Sequence, residues 1–185
     1  WLTMLAVLAH AEPDFPALTS AVVDAAGVMP APARQALDQR LRDYQASSGK
    51  QVVVATVPSL EGYDIRDYGN RLFRHWQLGD KQRNDGVLLL VAPNERKVSI
   101  EVGYGAEGDL TDALSRIIIE NAIVPRFKAG DYDGGIVAGI DDITETLGGG
   151  GRAIAERARN SGGEMSFEDM IPLIIFMLVV LFILA

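Results

Sequence analysis

The chain has 185 residues, with 17 Lys and Arg against 25 Asp and Glu, a net charge of −8 and no cysteine. This balance argues against a nucleic-acid partner, because binding to a phosphate backbone is driven by Lys and Arg. Without cysteine there are neither disulfide bonds nor thiolate chemistry, so the fold must be stable on its hydrophobic core.

Both ends of the chain are apolar. Residues 1–11 close in Ala9-His10-Ala11, which fits the small-x-small pattern before a signal-peptidase cut, with a short amphipathic helix as the alternative. Residues 170–185 read as the start of a transmembrane helix, with a buried core helix as the alternative. We therefore expect an exported domain over 12–150, a polar linker over 151–169 and a C-terminal membrane anchor.

Apolar periodicity predicts three elements in the first half of the domain: a short strand over 19–23, a helix over 30–48 and a strand over 51–57. The last of these is apolar on both faces, as in a central strand. Gly49 is the expected end of the first helix. A second helix is predicted over 64–76, with Asp64 as its N-cap.

The second half begins with a continuously apolar strand over 87–92 and a hairpin partner over 97–102. In this partner Val98, Ile100 and Val102 alternate with polar residues, which predicts one face open to water. A third helix is expected to stop near Pro125. A fourth follows over 131–147. The order predicts an α/β fold, an α/β/α sandwich with a small mixed β-sheet flanked by helices.

Two motifs in this half match known patterns without the context that those patterns need. Gly103-Tyr-Gly105-Ala-Glu-Gly108 fits the dinucleotide fingerprint, but its helix leads into another helix rather than a second parallel strand. Asp131-Tyr132-Asp133-Gly134 resembles the start of an EF-hand loop but lacks the later ligands. Capping of a helix by Asp131 or Asp133 explains it better.

The sequence between the two apolar ends gives little support for catalysis or metal binding by histidine. His75 is the only histidine there, which argues against a Ser-His arrangement and against a typical zinc site. It lies at the end of a predicted helix, where a cation is favoured by the helix dipole.

Carboxylates at the ends of elements are the remaining candidates for chemistry. Asp24 follows the first strand, Asp85 precedes a central strand, and Glu107, Asp109 and Asp112 surround the start of the third helix. Oxygen ligands on loops suit calcium. Capping of helix N-termini by Asp24 and Asp112 is the open alternative.

Four segments in this order and spacing resemble the TPM domain family, which includes bacterial YgcG-like proteins and a plant thylakoid-lumen branch: 23–27, 84–91, 101–108 and 125–132. The resemblance implies an α/β/α sandwich with a cleft between the Asp24 loop, the Asp85 turn and the third helix. It also implies a divalent cation, calcium first, with Asp24, Asp85 and Asp112 as ligands and Glu107 as a less secure fourth. The plant branch is associated with acid phosphatase activity.

Three functions are therefore expected in competition. The first is a membrane-anchored, extracytoplasmic module that binds a divalent cation and acts on other membrane or envelope proteins. The second is a metal-dependent phosphatase, with Glu107 as base and Arg96 or Arg126 on the phosphate. The third is a structural part of a cell-envelope assembly.

Overall fold

The computed structural model describes residues 12–161. The predicted signal segment 1–11 and the predicted anchor 170–185 lie outside these residues, as does the second part of the predicted linker. Among the helices within 12–161, none is long and apolar enough to cross a membrane.

The sheet has four strands in the order β1-β2-β3-β4: Val22–Asp24, Val52–Thr56, Val87–Ala92 and Lys97–Val102. The first three are parallel, and β4 pairs antiparallel with β3 as a hairpin. All residues of β2 and β3 are buried, as expected for strands covered on both faces. The mixed sheet flanked by helices confirms the predicted α/β fold.

Six α-helices occur within the described residues: α1 Ala31–Ser48, α2 Ile65–His75, α3 Asp112–Ile118, α4 Val124–Lys128, α5 Tyr132–Glu145 and α6 Gly151–Ser161. Helix α2 covers one face of the sheet through Ile65, Tyr68 and Leu72. Helices α1, α3 and α5 cover the other face. Three caps agree with the sequence: Asp64 on α2, Asp131 on α5 and left-handed Gly49 after α1.

The third helix does not stop at Pro125 as predicted. Helix α3 passes through a π-helical turn, Ile119–Ile123, into α4, where Pro125 lies in the first turn. Proline is tolerated there because it directly follows the π-helical turn, where the regular i→i−4 hydrogen-bond pattern of an α-helix is already interrupted.

The segment after residue 150, predicted as a polar linker, starts as helix α6 in the structure. Its Ile154 is 3% exposed and joins the core beside α3 and α5. Arg157 pairs with Asp142 and Glu145 of α5 at 3.4 and 2.6 Å. One buried isoleucine in a polar stretch is too weak a pattern to predict this helix.

Candidate functional site

Asp24 lies at the C-terminal end of β1, where its carboxylate serves the loop that follows. Its Oδ1 accepts hydrogen bonds from the Val28 N–H at 3.1 Å and from the Thr56 hydroxyl at 2.5 Å. Its Oδ2 accepts from the Met29 N–H at 3.0 Å. Asp24 therefore caps the turn that leads to α1, and its oxygens already have protein donors.

Asp85 lies two residues before β3 and is 5% exposed. Its Oδ1 accepts a hydrogen bond from the Asp80 N–H at 3.1 Å, and its Oδ2 accepts from Arg83 Nε at 2.7 Å. Burial alone raises the pKa of Asp85, but the Asp80 amide and the Arg83 guanidinium outweigh it, so the pKa lies below its ordinary value. This carboxylate fixes the 80–85 loop.

The sheet places Asp24 and Asp85 at opposite ends of its parallel strands: Asp24 at the carboxyl end of β1 and Asp85 before the amino end of β3. In the register of the parallel strands, Asp24 on β1 pairs with Thr56 on β2, and Thr56 pairs with Val91 on β3. Asp85 lies six residues before Val91, which is ~20 Å along a parallel strand. A single ion cannot touch both side chains. The cleft that the family resemblance implied between them is therefore absent from this arrangement.

Asp112 and Glu107, in contrast, lie together in a groove along the outer edge of β4. Two adjoining concavities of about 440 and 410 Å³ share Arg66, Ile100 and Asp112. Glu107 and Glu101 line the larger one. We call the two together the edge groove. Helix α2 forms one wall of it and the start of α3 forms the other.

Asp112 is not the cap of α3, because the Thr111 side chain accepts the Leu114 N–H instead. The Asp112 side chain is 94% exposed, and its Oδ1 lies 3.9 Å from Arg66 Nη2. Such a long, exposed pair contributes little to stability. Asp112 is therefore available to a ligand in the edge groove.

Glu101 was not among the residues predicted from the sequence, because its alternation with Ile100 and Val102 suggested a face open to water. Helix α2 covers that face instead: Ser99 is buried and Glu101 is half-buried. A methyl group at Gly69 would come within 2.9 Å of the Glu101 Cγ and Oε1 atoms. The absence of a side chain at position 69 thus makes room for this carboxylate against the helix.

The Glu101 carboxylate has an unsatisfied atom in this position. Its Oε1 is buried and makes no hydrogen bond of normal geometry, although the neighbouring Ser99 hydroxyl is close enough to the carboxylate to favour its charged form. Burial raises the pKa of Glu101, and this outweighs the opposing influence of Ser99 and Arg66. An orphaned acceptor of this kind calls for an explanation, such as a bound cation.

The acidic side chains within 12–161 do not form a complete metal site. Within 12–161, no group of three or more acidic or histidine side chains is placed to hold a metal ion. The edge groove brings together Glu101, Glu107 and Asp112 without the geometry of a closed site. Asp24 and Asp85 do not belong to it.

The glycine fingerprint has a structural explanation. Gly103 donates a hydrogen bond to the Gly86 carbonyl at 2.8 Å, and Gly105 donates to the Asn84 carbonyl at 3.0 Å. A methyl group on Gly103 would overlap Asn84 O, and one on Gly105 would overlap Arg83 O. These glycines let two loops pack backbone against backbone, which agrees with setting dinucleotide binding aside.

The fold and the groove define an α/β domain in which helices on both sides of a mixed sheet meet over an acidic edge. A family model described as the TPM domain matches residues 22–146. The chain therefore belongs to the TPM domain family, and the resemblance found in the sequence is confirmed.

Solved structures support the same conclusion. The N-terminal domain of a protein from P. gingivalis is 34% identical, with a TM-score of 0.65 over 71% of this chain and 83% of that chain. Two further structures share the fold: the N-terminal domain of cg2496 from Corynebacterium glutamicum (21% identity, TM-score 0.55, 76% and 86% covered) and BA42 from Bizionia argentinensis (23%, 0.57, 64% and 81%). No curated protein matches the chain.

Proposed function

We propose that this TPM domain binds a divalent cation, calcium first, in the edge groove. The observation that carries the proposal is the buried, unpartnered Oε1 of Glu101 beside the exposed carboxylates of Glu107 and Asp112. Of the four ligands expected from the sequence, Glu107 and Asp112 remain in the proposal. Glu101 replaces Asp24 and Asp85, whose oxygens already accept protein donors.

The groove offers carboxylate oxygens but no preformed three-carboxylate site among the described residues, so a hard cation would bind there weakly and largely through water. Calcium takes oxygen ligands in flexible geometry and can complete its shell with water. A cation would satisfy the Glu101 oxygen and neutralise part of the charge in the groove. Because few protein ligands are available, we expect a dissociation constant of roughly 10⁻⁴ to 10⁻³ M, the range of weak extracellular calcium sites.

We further propose that the domain works outside the cytoplasm, beside membrane or envelope proteins. This rests on the apolar segments 1–11 and 170–185 and on the cation, since a weak calcium site suits a compartment rich in calcium. A cation-loaded groove along a sheet edge would present a charged, rigid surface to such a partner.

Thermal unfolding of the full chain with calcium, magnesium and manganese tests the cation site. At 10 mM calcium, ten to a hundred times the expected dissociation constant, the free energy of unfolding should rise by about 1.4–2.7 kcal/mol by mass action. The Glu101→Gln variant should lose this increase. The Glu156→Gln variant changes an exposed glutamate on α6 and should keep it. A calcium response that is equal in both variants would rule out the edge groove.

The same variant should reveal the cost of holding Glu101 in place. A carboxyl whose pKa is raised by folding stabilises the folded state below its unfolded pKa, and this contribution is lost as the pH rises through the folded pKa. In EDTA at pH 7, Glu101→Gln should therefore be more stable than the parent chain, by about 1 kcal/mol. Below about pH 4 the two chains should converge, because Glu101 is then protonated in both states. A variant less stable than its parent at pH 7 contradicts the unpartnered carboxylate.

A phosphatase is the second candidate, because Arg66 and Arg116 line the same groove as Asp112. A bound cation would polarise a phosphoryl oxygen, and the two guanidinium groups would orient the phosphate. If this is correct, hydrolysis of an aryl phosphate by the full chain should need calcium or magnesium and fall at least a hundredfold in Arg116→Gln. Calcium binding without any hydrolysis would leave the non-catalytic module as the function.

A further inference from the structure

A second concave site lies at the other end of β4 from the carboxylates of the edge groove. It is a cavity of about 490 Å³ between the β3–β4 turn and the α4–α5 loop. Its accessible apolar surface comes from Val98 on β4, which also borders the edge groove, and from Val124 on α4, above the fully buried Val91 and Ala92 at the end of β3. We call it the hairpin cavity. Crevices beyond the carboxyl ends of parallel strands are common ligand sites in α/β sheets, and β3 ends here.

Three cations line the hairpin cavity: Arg96 and Lys97 in the hairpin and Lys128 at the end of α4. None of them takes part in the ion pairs that form within residues 12–161. Among the described residues that line the cavity, none carries a carboxylate. In a chain with a net charge of −8, these three cations without an ion pair give the cavity a positive lining that attracts an anion.

The neighbouring Arg126, unlike these three residues, does form an ion pair. Arg126 Nη1 lies 3.4 Å from Asp131 Oδ2, and the Glu95 carboxylate next to Arg96 accepts the Leu60 N–H at 2.8 Å rather than pairing with a cavity cation. Of the two arginines that the sequence suggested for phosphate, Arg126 is paired and Arg96 lines the cavity. The three cavity cations therefore have charge to offer to a ligand.

Two aromatic rings form one wall of the hairpin cavity. The ring centroids of Phe127 and Tyr132 are 4.8 Å apart, with an interplanar angle of 37°. Gly135 makes room for Phe127, since a methyl group there would lie 2.6 Å from two atoms of the ring. This ring is thus held against α5. An apolar floor with a fixed aromatic wall suits a flat, apolar body.

The turn that presents the cations is strained at one position. Arg96 has φ of +54°, in the left-handed region that costs a non-glycine residue free energy. This conformation belongs to the tight hairpin turn, which the Arg96 N–H closes by donating to the Pro93 carbonyl at 3.1 Å. Glycine would fit this turn better, but it would remove the guanidinium from the cavity.

We propose that the hairpin cavity binds a small organic anion, a dianionic or carboxylate head on a flat apolar or aromatic body. Arg96, Lys97 and Lys128 hold the head, and Phe127, Tyr132 and the valines hold the body. The site is distinct from the edge groove and needs no metal ion. No bond is made or broken in it.

Binding of four probes to the full chain in EDTA tests this site by NMR titration. Phenylphosphonate, which carries both head and body, should bind with a dissociation constant below about 1 mM. Benzoate should bind more weakly because it has one charge. Inorganic phosphate lacks the body and benzyl alcohol lacks the charge, so each should bind at least tenfold more weakly than phenylphosphonate. Cross-peaks between the probe and the Phe127 ring should locate it.

Charge variants separate the cavity from the general field of the protein. Lys97→Gln combined with Lys128→Gln should weaken phenylphosphonate binding at least tenfold. Lys81→Gln is the control, because this exposed lysine lies in the 80–85 loop at the opposite end of β3 and should leave binding unchanged. Equal losses in both, or phosphate binding as tightly as phenylphosphonate, would mean attraction to surface charge and overturn the site. So would a lack of binding at 10 mM.

The Arg96→Gly variant distinguishes a binding role of Arg96 from a structural one, because we expect it to raise the melting temperature and weaken binding at the same time. The melting temperature should rise by about 1–3 °C because the left-handed strain is relieved, while phenylphosphonate binding should fall at least fivefold. Gln77 has φ of +51° outside the cavity, so Gln77→Gly should give the same thermal gain with unchanged binding. If Arg96→Gly binds as tightly as the parent, Arg96 has no part in the site.

Discussion

Replacing Gly105 with alanine is expected to lower the free energy of unfolding by about 3 kcal/mol or more, a large fraction of the roughly 5–15 kcal/mol that stabilises a typical domain. The new methyl group would overlap the Arg83 carbonyl oxygen, and the Arg83 carbonyl carbon would lie 2.9 Å away. Both are backbone atoms, which cannot turn aside as a side chain can. The Gly105 N–H bond to the Asn84 carbonyl would be strained as well. Circular dichroism during urea unfolding measures the loss.

The third glycine of the same fingerprint is the control. A methyl group on Gly108 would meet no atom within 4 Å, so Gly108→Ala should leave the midpoint of unfolding nearly unchanged. A dinucleotide fold would need this third glycine for the close approach of helix and strand. Equal tolerance of alanine at positions 105 and 108 would contradict the backbone packing described above.

The prediction agrees with the structure for strands and helix caps whose sequence signals lie within a few neighbouring residues. Continuous apolar runs gave β2 and β3 because both faces of these strands are buried. Asp64 and Asp131 were recognised as caps because a cap depends only on residues within one helical turn. The TPM resemblance rested on loops whose glycines and acids fix backbone geometry, such as Gly103, Gly105 and Asp85.

The candidate site was only partly predictable, because it depends on sheet topology. Which loops meet is decided by strand order and direction, and these place Asp24 and Asp85 at opposite ends of the parallel strands. Glu101 looked like a solvated residue of an edge strand. Its burial follows from packing of α2 across β4 at Gly69, thirty-two positions earlier in the chain. An isolated glycine within an amphipathic helix was the one available signal, since it marks a close approach.

Asp85 was predicted as a metal ligand, and its contacts lead to a different expectation. Asp85→Asn should lower the free energy of unfolding at pH 7 by about 2 kcal/mol, because a buried charge-assisted hydrogen bond to Arg83 is lost. Urea unfolding of the parent and the variant measures this. Asp67→Asn, which breaks an exposed pair with Arg71 on α2, should cost a small fraction of that amount.

The dependence on pH separates the two roles of Asp85. A carboxyl whose pKa is lowered by folding stabilises the folded state above its unfolded pKa, near 3.9, and this contribution is lost as the pH falls through the folded pKa. The difference between parent and Asp85→Asn should therefore be constant from pH 5 to 7 and shrink below about pH 4. If Asp85 fixes the loop without binding calcium, the variant should retain the whole calcium-induced gain in stability. Loss of that gain in Asp85→Asn, with Glu101→Gln unaffected, would move the cation from the edge groove to the 80–85 loop.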